Sequence, residues 1–271
     1  MNKSTAKQVK VWDKTWNEML EKGTFPEMSS YQRQWHKNLI KVVAQNINLN
    51  NAKSMLECGC GNGIFGLEFA NRFPKMALYL SDLSEAALKY NKLLLNEFIR
   101  KNPKENFGTF YVNHNIDDMF KMKYKNGFFD VVINGGTLEH YGNKEISLLI
   151  KEMLRVTKSS GTVVVAVPNI KNFDLIFKKI KLFIRNNSRG LFLRTMIDYG
   201  GNDERDITFN KFKKIVGKNE EIESVTYIKH PLALPRFIPR STSNNHLMIL
   251  LEKILVNLGF NWANIFLIKK K

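Results

Sequence analysis

One stretch constrains this chain more than any other: Glu57-Cys58-Gly59-Cys60-Gly61-Asn62-Gly63, set between an apolar strand-like run (54–58) and a helix-like segment (64–73). Glycines at alternate positions let the backbone turn through positive φ and let a ligand approach with no Cβ in the way. A helix that starts directly after such a turn offers the free N–H groups of its first turn to that ligand. Asp82 closes the next strand-like run about 20 residues on, where a carboxylate in a βαβ unit grips ribose hydroxyls. These features together predict an adenosine-binding site at the carboxyl ends of parallel strands.

The rest of the chain agrees with that architecture. From Met55 short apolar runs alternate with amphipathic segments, the pattern of βαβ units. Strands are expected at 54–58, 76–82, 110–115, 128–134 and 161–169, with helices at 84–99 and 144–157 between them. Ser84 reads as a helix N-cap, and Leu88, Leu95 and Ile99 recur on one helical face. Two last strands are expected at 224–229 and 264–269, separated by a Pro-rich loop (231–239) and a helix near 245–258. Residues 8–47 read as helical and carry Trp12, Trp16, Tyr31 and Trp35, an aromatic set that covers either the ligand or the core.

Composition narrows the function classes. The chain has 271 residues, 42 Lys+Arg against 25 Asp+Glu, and a formal charge of +17. Such a surplus favours encounters with nucleic acid, anionic membrane or phosphorylated molecules; a solvated Lys-rich surface is the equal alternative. The Lys residues are dispersed, and no DNA- or RNA-reading motif accompanies them. Cys58 and Cys60 cannot staple distant segments, which points to a reducing compartment. The N-terminus lacks the apolar core of a signal peptide. The longest uncharged run, 254–268, is broken by Asn and Gly and too short to span a bilayer. The expectation is a cytoplasmic protein, with peripheral membrane contact as the alternative.

The loop alone leaves two cofactors open. Gly61-Asn62-Gly63-Ile64-Phe65-Gly66 also satisfies the dinucleotide spacing, so a nicotinamide-dependent oxidoreductase stands as a rival. Glu57 argues against it, because an acid beside the first glycine repels a pyrophosphate and suits a ligand bearing ammonium and sulfonium.

These residues resemble the class I S-adenosylmethionine-dependent methyltransferases, especially the small-molecule branch that acts on quinones, sugars and natural products. Leu56-Glu57-Cys58-Gly59-Cys60-Gly61-Asn62-Gly63 is similar to that family's acid-x-Gly-x-Gly-x-Gly loop, and Leu80-Ser81-Asp82-Leu83-Ser84 to its ribose-binding strand end. The run from Phe129 to Tyr141, with Leu138-Glu139-His140, resembles its fourth strand and following loop. The resemblance implies an α/β, Rossmann-like fold: a seven-stranded, mostly parallel sheet with helices on both faces and an antiparallel last strand. An N-terminal helical cap (1–50) would precede the cofactor-binding core (51–170). An acceptor-side insertion (171–223) would follow, and 224–271 would complete the same domain.

By the same resemblance, Glu57, Gly59, Gly61 and Gly63, with Cys60 among them, hold the methionine part of S-adenosylmethionine. Asp82 binds the ribose, and Leu83 lies beside the adenine. Asn115 stands where the family usually has an Asp for the adenine amino group, Ile116 packs on the ring, and Asn134 offers its backbone carbonyl to the ammonium. Some quinone O-methyltransferases bind a metal through a Glu at the position of Gly136, so no metal is expected here. The reaction expected is methyl transfer to a small-molecule acceptor, most simply at oxygen, with His140 as base or as an ordering residue of its loop. Asn134-Gly135-Gly136-Thr137 stands where an Asn/Asp-Pro-Pro-aromatic motif would, which argues against base N-methylation, while an RNA methyltransferase or other nucleic-acid-binding protein stays as the second rival. The segment 173–185 places its Phe and Ile residues on one face and its Lys and Arg residues largely away from it. It reads as a lid over the acceptor or as a helix resting on anionic lipid, the lid being favoured.

Overall fold

The computed structural model describes residues 3–22, 30–169, 205–217, 219–231 and 246–271. Two helices, α1 (Lys3–Glu21) and α2 (Ser30–Asn46), lead into an alternating series: β1 (Ser54–Cys58), α3 (Ile64–Arg72), β2 (Ala77–Asp82), α4 (Glu85–Lys101), β3 (Val112–Ile116) and β4 (Phe129–Gly135). Then come α5 (Asn143–Val156), β5 (Thr157–Pro168), α6 (Phe209–Val216), β6 (Ile222–Lys229), α7 (His246–Asn257) and β7 (Ala263–Lys270). The expected segment 173–185 and most of the Pro-rich loop lie outside the described residues.

All seven strands form one sheet in the order β3-β2-β1-β4-β5-β7-β6. Pairings from β3 through β5 are parallel, while β7 runs antiparallel to both β5 and β6. This is the expected Rossmann-like sheet, with its antiparallel last strand placed between β5 and β6. The chain order reverses between β1 and β4, and at such a switch point the carboxyl ends of neighbouring strands part to leave a crevice.

Local sequence explains the elements that flank this crevice. Every residue of β1 is buried, as a central parallel strand covered on both faces requires. Ser84 caps α4, its Oγ accepting from Ala87 N at 3.1 Å. The carboxylate of Glu145 reaches back to accept from Gly142 N at 2.8 Å, closing the first turn of α5. One core layer packs α3, α4 and the inner faces of α1 and α2 on the sheet. The other packs α5 and α6, with Phe212 stacked on Phe266 of β7 at 4.1 Å between ring centroids. No described helix is long and apolar enough to cross a membrane.

Candidate active site

A crevice of about 290 Å³ opens at the carboxyl ends of β1, β2 and β4, near the lower end of the range for small-ligand pockets, roughly 300 Å³. Its floor is the glycine loop. Gly59 and Gly61 adopt φ of 63° and 50°, the left-handed region open to glycine. Cys60 N donates to Ser81 O at 3.0 Å and Gly63 N to Cys60 O at 2.7 Å, so backbone bonds hold the turn. Thr137, past the end of β4, donates its hydroxyl to Gly59 O at 3.1 Å and ties the two sides together.

Two carboxylates face the opening. Asp82 accepts from Gly61 N at 2.8 Å through one oxygen and from Ser84 N at 2.9 Å through the other. Each oxygen keeps capacity for another donor, as a pair of ribose hydroxyls would supply. Asp117, buried just beyond β3, donates its backbone N–H to Asp82 O at 3.1 Å and accepts from Lys123 N at 3.0 Å. Burial pushes the Asp82 carboxyl above its ordinary range, against the opposing N–H donors of Ser84 and Gly61. Burial does the same to Asp117, against the backbone donors of Lys123 and Asp118 and the attraction of Lys123. Among the described residues neither makes an ion pair, and no Lys or Arg lines the crevice.

The roof is α1. Trp12 and Trp16, one turn apart, both line the crevice with rings 6.4 Å apart and inclined by 28°. Trp16 lies on Gly61 so closely that a Cβ there would come within 2.9 Å of its ring. Trp12 meets His140 edge to face at 5.6 Å, which brings the loop after β4 under the same roof. Asp13 pins the helix by accepting from Ser84 Oγ at 2.6 Å.

Residues 56–165 match a family described as a methyltransferase domain. Over this stretch the chain carries an S-adenosylmethionine-dependent methyltransferase domain. A curated relative, ribosomal RNA small subunit methyltransferase C of Buchnera aphidicola subsp. Baizongia pistaciae, is 29% identical over 60% of this chain, which spans only 48% of that relative's length. Magnesium protoporphyrin IX methyltransferase from Synechocystis PCC 6803 shares the fold with a TM-score of 0.58 at 13% identity, covering 100% of this chain and 99% of its own. Geranyl diphosphate C-methyltransferase from Streptomyces coelicolor A3(2) does so at 0.53 and 14% identity, over 91% and 84%.

Within this methyltransferase domain the expected site residues separate into two groups. Gly59, Cys60, Gly61, Asp82, Leu83 and His140 line the crevice. Glu57, Gly63, Asn115, Ile116 and Asn134 do not. Side chains alternate across a strand, and Glu57 falls on the face of β1 covered by α3, where its carboxyl accepts from Gly66 N at 2.8 Å in the helix's first turn. Burial, with help from Asp82, pushes that carboxyl up to about 8. Its role is to fix the loop to the helix from beneath. Gly63 is required for packing instead, since a Cβ there would collide with the Asn91 amide. The Asn134 amide donates to Cys58 O at 2.8 Å from a fully buried position, and Gly135, Gly136 and Thr137 form the crevice edge in its place.

The third strand adds a residue that was not expected. Asn115 donates its amide N–H groups to Asn113 Oδ1 at 2.6 Å and Tyr124 Oη at 2.9 Å, and Ile116 is exposed. The acid at this edge is Asp117, two residues later. An acid-acid pair following the strand, Asp117-Asp118, was the signal available for it. Among the described residues, no three His, Cys, Asp or Glu side chains converge as a metal-ligand set.

Proposed function

We propose that this chain binds S-adenosylmethionine in the crevice and transfers its methyl group to the oxygen of a small-molecule acceptor. One observation carries the reading. In a chain with 42 basic residues the described residues that line the crevice include two carboxylates and no Lys or Arg, which suits a cationic ligand and repels the pyrophosphate of a nicotinamide dinucleotide. Asp82 would receive the ribose hydroxyls, Asp117 would stand at the adenine end, and the bare backbone of Gly59 and Gly61 would lie along the amino-acid part.

When bound, S-adenosylmethionine supplies a methyl group that its sulfonium has already activated for in-line displacement. The protein's task is then alignment and proton removal. His140 sits at the crevice edge with Glu139 Oε1 4.0 Å from its Nε2. It would take the acceptor's hydroxyl proton as the oxygen–carbon bond forms and the sulfur–carbon bond breaks, and Glu139 would stabilise the imidazolium. Because α1 roofs the crevice, the opening suits a small acceptor.

His140→Gln should lower turnover by about 10²–10³-fold, within the span of general-base catalysis, with cofactor affinity unchanged in titration. A fall below threefold removes His140 from the reaction. Incubation with methyl-labelled cofactor and fractionated host extract should place the label on a hydroxyl of a small molecule. A second reading, ribosomal RNA as acceptor, is favoured by the charge of +17 and by the RNA enzyme among its relatives. Label in the RNA fraction, with binding that falls steeply in log–log dependence on salt, would replace the first reading with the second.

A further inference from the structure

The crevice presents a cationic ligand with two aromatic rings, and they are not equivalent. Trp16 is buried, seated on Gly61 and packed at 5.4 Å on Tyr90, so its indole is part of the fold. Trp12 is only half-buried, lines the open crevice, and touches His140. With His140 as the base proposed above, the acceptor stands at its end of the crevice, and the transferable methyl has to face the acceptor. The sulfonium would therefore lie toward Trp12, on a wall where no Lys or Arg stands among the described residues. Position is shared with other contacts: Asp13 fastens α1 to Ser84, and Met19 and Leu20 pack it on the core beside Trp12 itself.

We infer that Trp12 reads the charge of the cofactor, holding the sulfonium by a cation–π contact. This rests on the S-adenosylmethionine reading above. Methyl transfer converts the sulfonium into a neutral thioether, so the contact exists for the substrate form and disappears in S-adenosylhomocysteine. Trp12 then raises affinity for the reactive cofactor over the spent one and favours release of the product. It is a specificity residue, separate from the proton transfer assigned to His140.

The test titrates the full-length protein with S-adenosylmethionine and with S-adenosylhomocysteine by calorimetry, for wild type, Trp12→Leu and Trp12→Phe. A desolvated cation–π contact predicts a loss of about 3- to 30-fold for the charged cofactor in Trp12→Leu. S-adenosylhomocysteine should change by less than about twofold, and Trp12→Phe should recover part of the loss because its ring keeps a weaker quadrupole. Equal losses for both ligands mean that Trp12 only shapes the wall, and no loss for either means that it faces elsewhere; each result overturns the inference. Trp12→Phe preserves the packing should Trp12→Leu unfold. Wild type that binds neither ligand instead defeats the cofactor reading itself, a result distinguishable from the other two.

Discussion

The protein gathers carboxylates inside itself in two places and treats them in opposite ways. Between α2, α3 and the end of α4, Glu68 and Glu105 close on Arg33, with Nε–Oε1 at 2.6 Å and Nη2–Oε2 at 2.5 Å. The same guanidinium lies over Phe98 and Phe107 at 5.5 and 5.3 Å and donates to Asn102. At the crevice, Asp82 and Asp117 are held by backbone N–H groups, with no ion pair among the described residues. With Lys37 Nζ 3.6 Å from Glu105 Oε1, the first cluster sets two cations against two carboxylates and is structural. The second has no such cation among the described residues, and this contrast separates a site from a staple more sharply than burial does.

The comparison can be broken at either end. The largest effect is expected at Arg33: Arg33→Ala leaves Glu68 buried without its partner and should cost about 3–5 kcal/mol of stability in denaturant unfolding. A cost below 1 kcal/mol would make the cluster incidental. At the crevice the effect should fall on binding. Asp82→Asn should weaken S-adenosylmethionine by about 10- to 100-fold through lost charge-assisted bonds, measured by calorimetry. Asn115→Ala should leave affinity within twofold.

A pH dependence of stability is expected at Glu57. Glu57 ionises near pH 8 in the fold against an ordinary 4.5. Between those values the unfolded chain has already lost this proton while the folded chain keeps it. Its contribution is therefore fully present below 4.5 and declines as pH rises toward 8, at about 1.4 kcal/mol per unit at most. Glu57→Gln should flatten the fall in melting temperature over that window and change little at pH 4. An unchanged slope would mean that Glu57 is solvated.

What the sequence disclosed follows the same division. Gly59, Gly61 and Asp82 were legible because their roles depend on backbone turns and on where one strand ends, both local properties. Glu57 was legible as an acid in the loop but not as one facing away, although the alternation of β1, with Leu56 and Cys58 on the opposite face, carries that information. The third strand ends at Ile116, one residue past the expected end, and Asp117, which lines the crevice just after it, went unread. The i, i+4 spacing of Trp12 and Trp16 marked an aromatic helical face, but its partner His140 lies more than a hundred residues away, and only the sheet brings them together. The α6 helix went unread because its eight residues are short, and Phe212 alone is fully buried.

The central claim is that this crevice accepts a positively charged adenosyl ligand. Parallel calorimetric titrations of the wild-type protein with S-adenosylmethionine and with NADH test it most directly. Saturable binding of the sulfonium compound, weakened as pH falls into the range where Asp82 and Asp117 take up protons, with no heat from NADH, is the predicted result. Saturable NADH binding with none of S-adenosylmethionine would contradict the account.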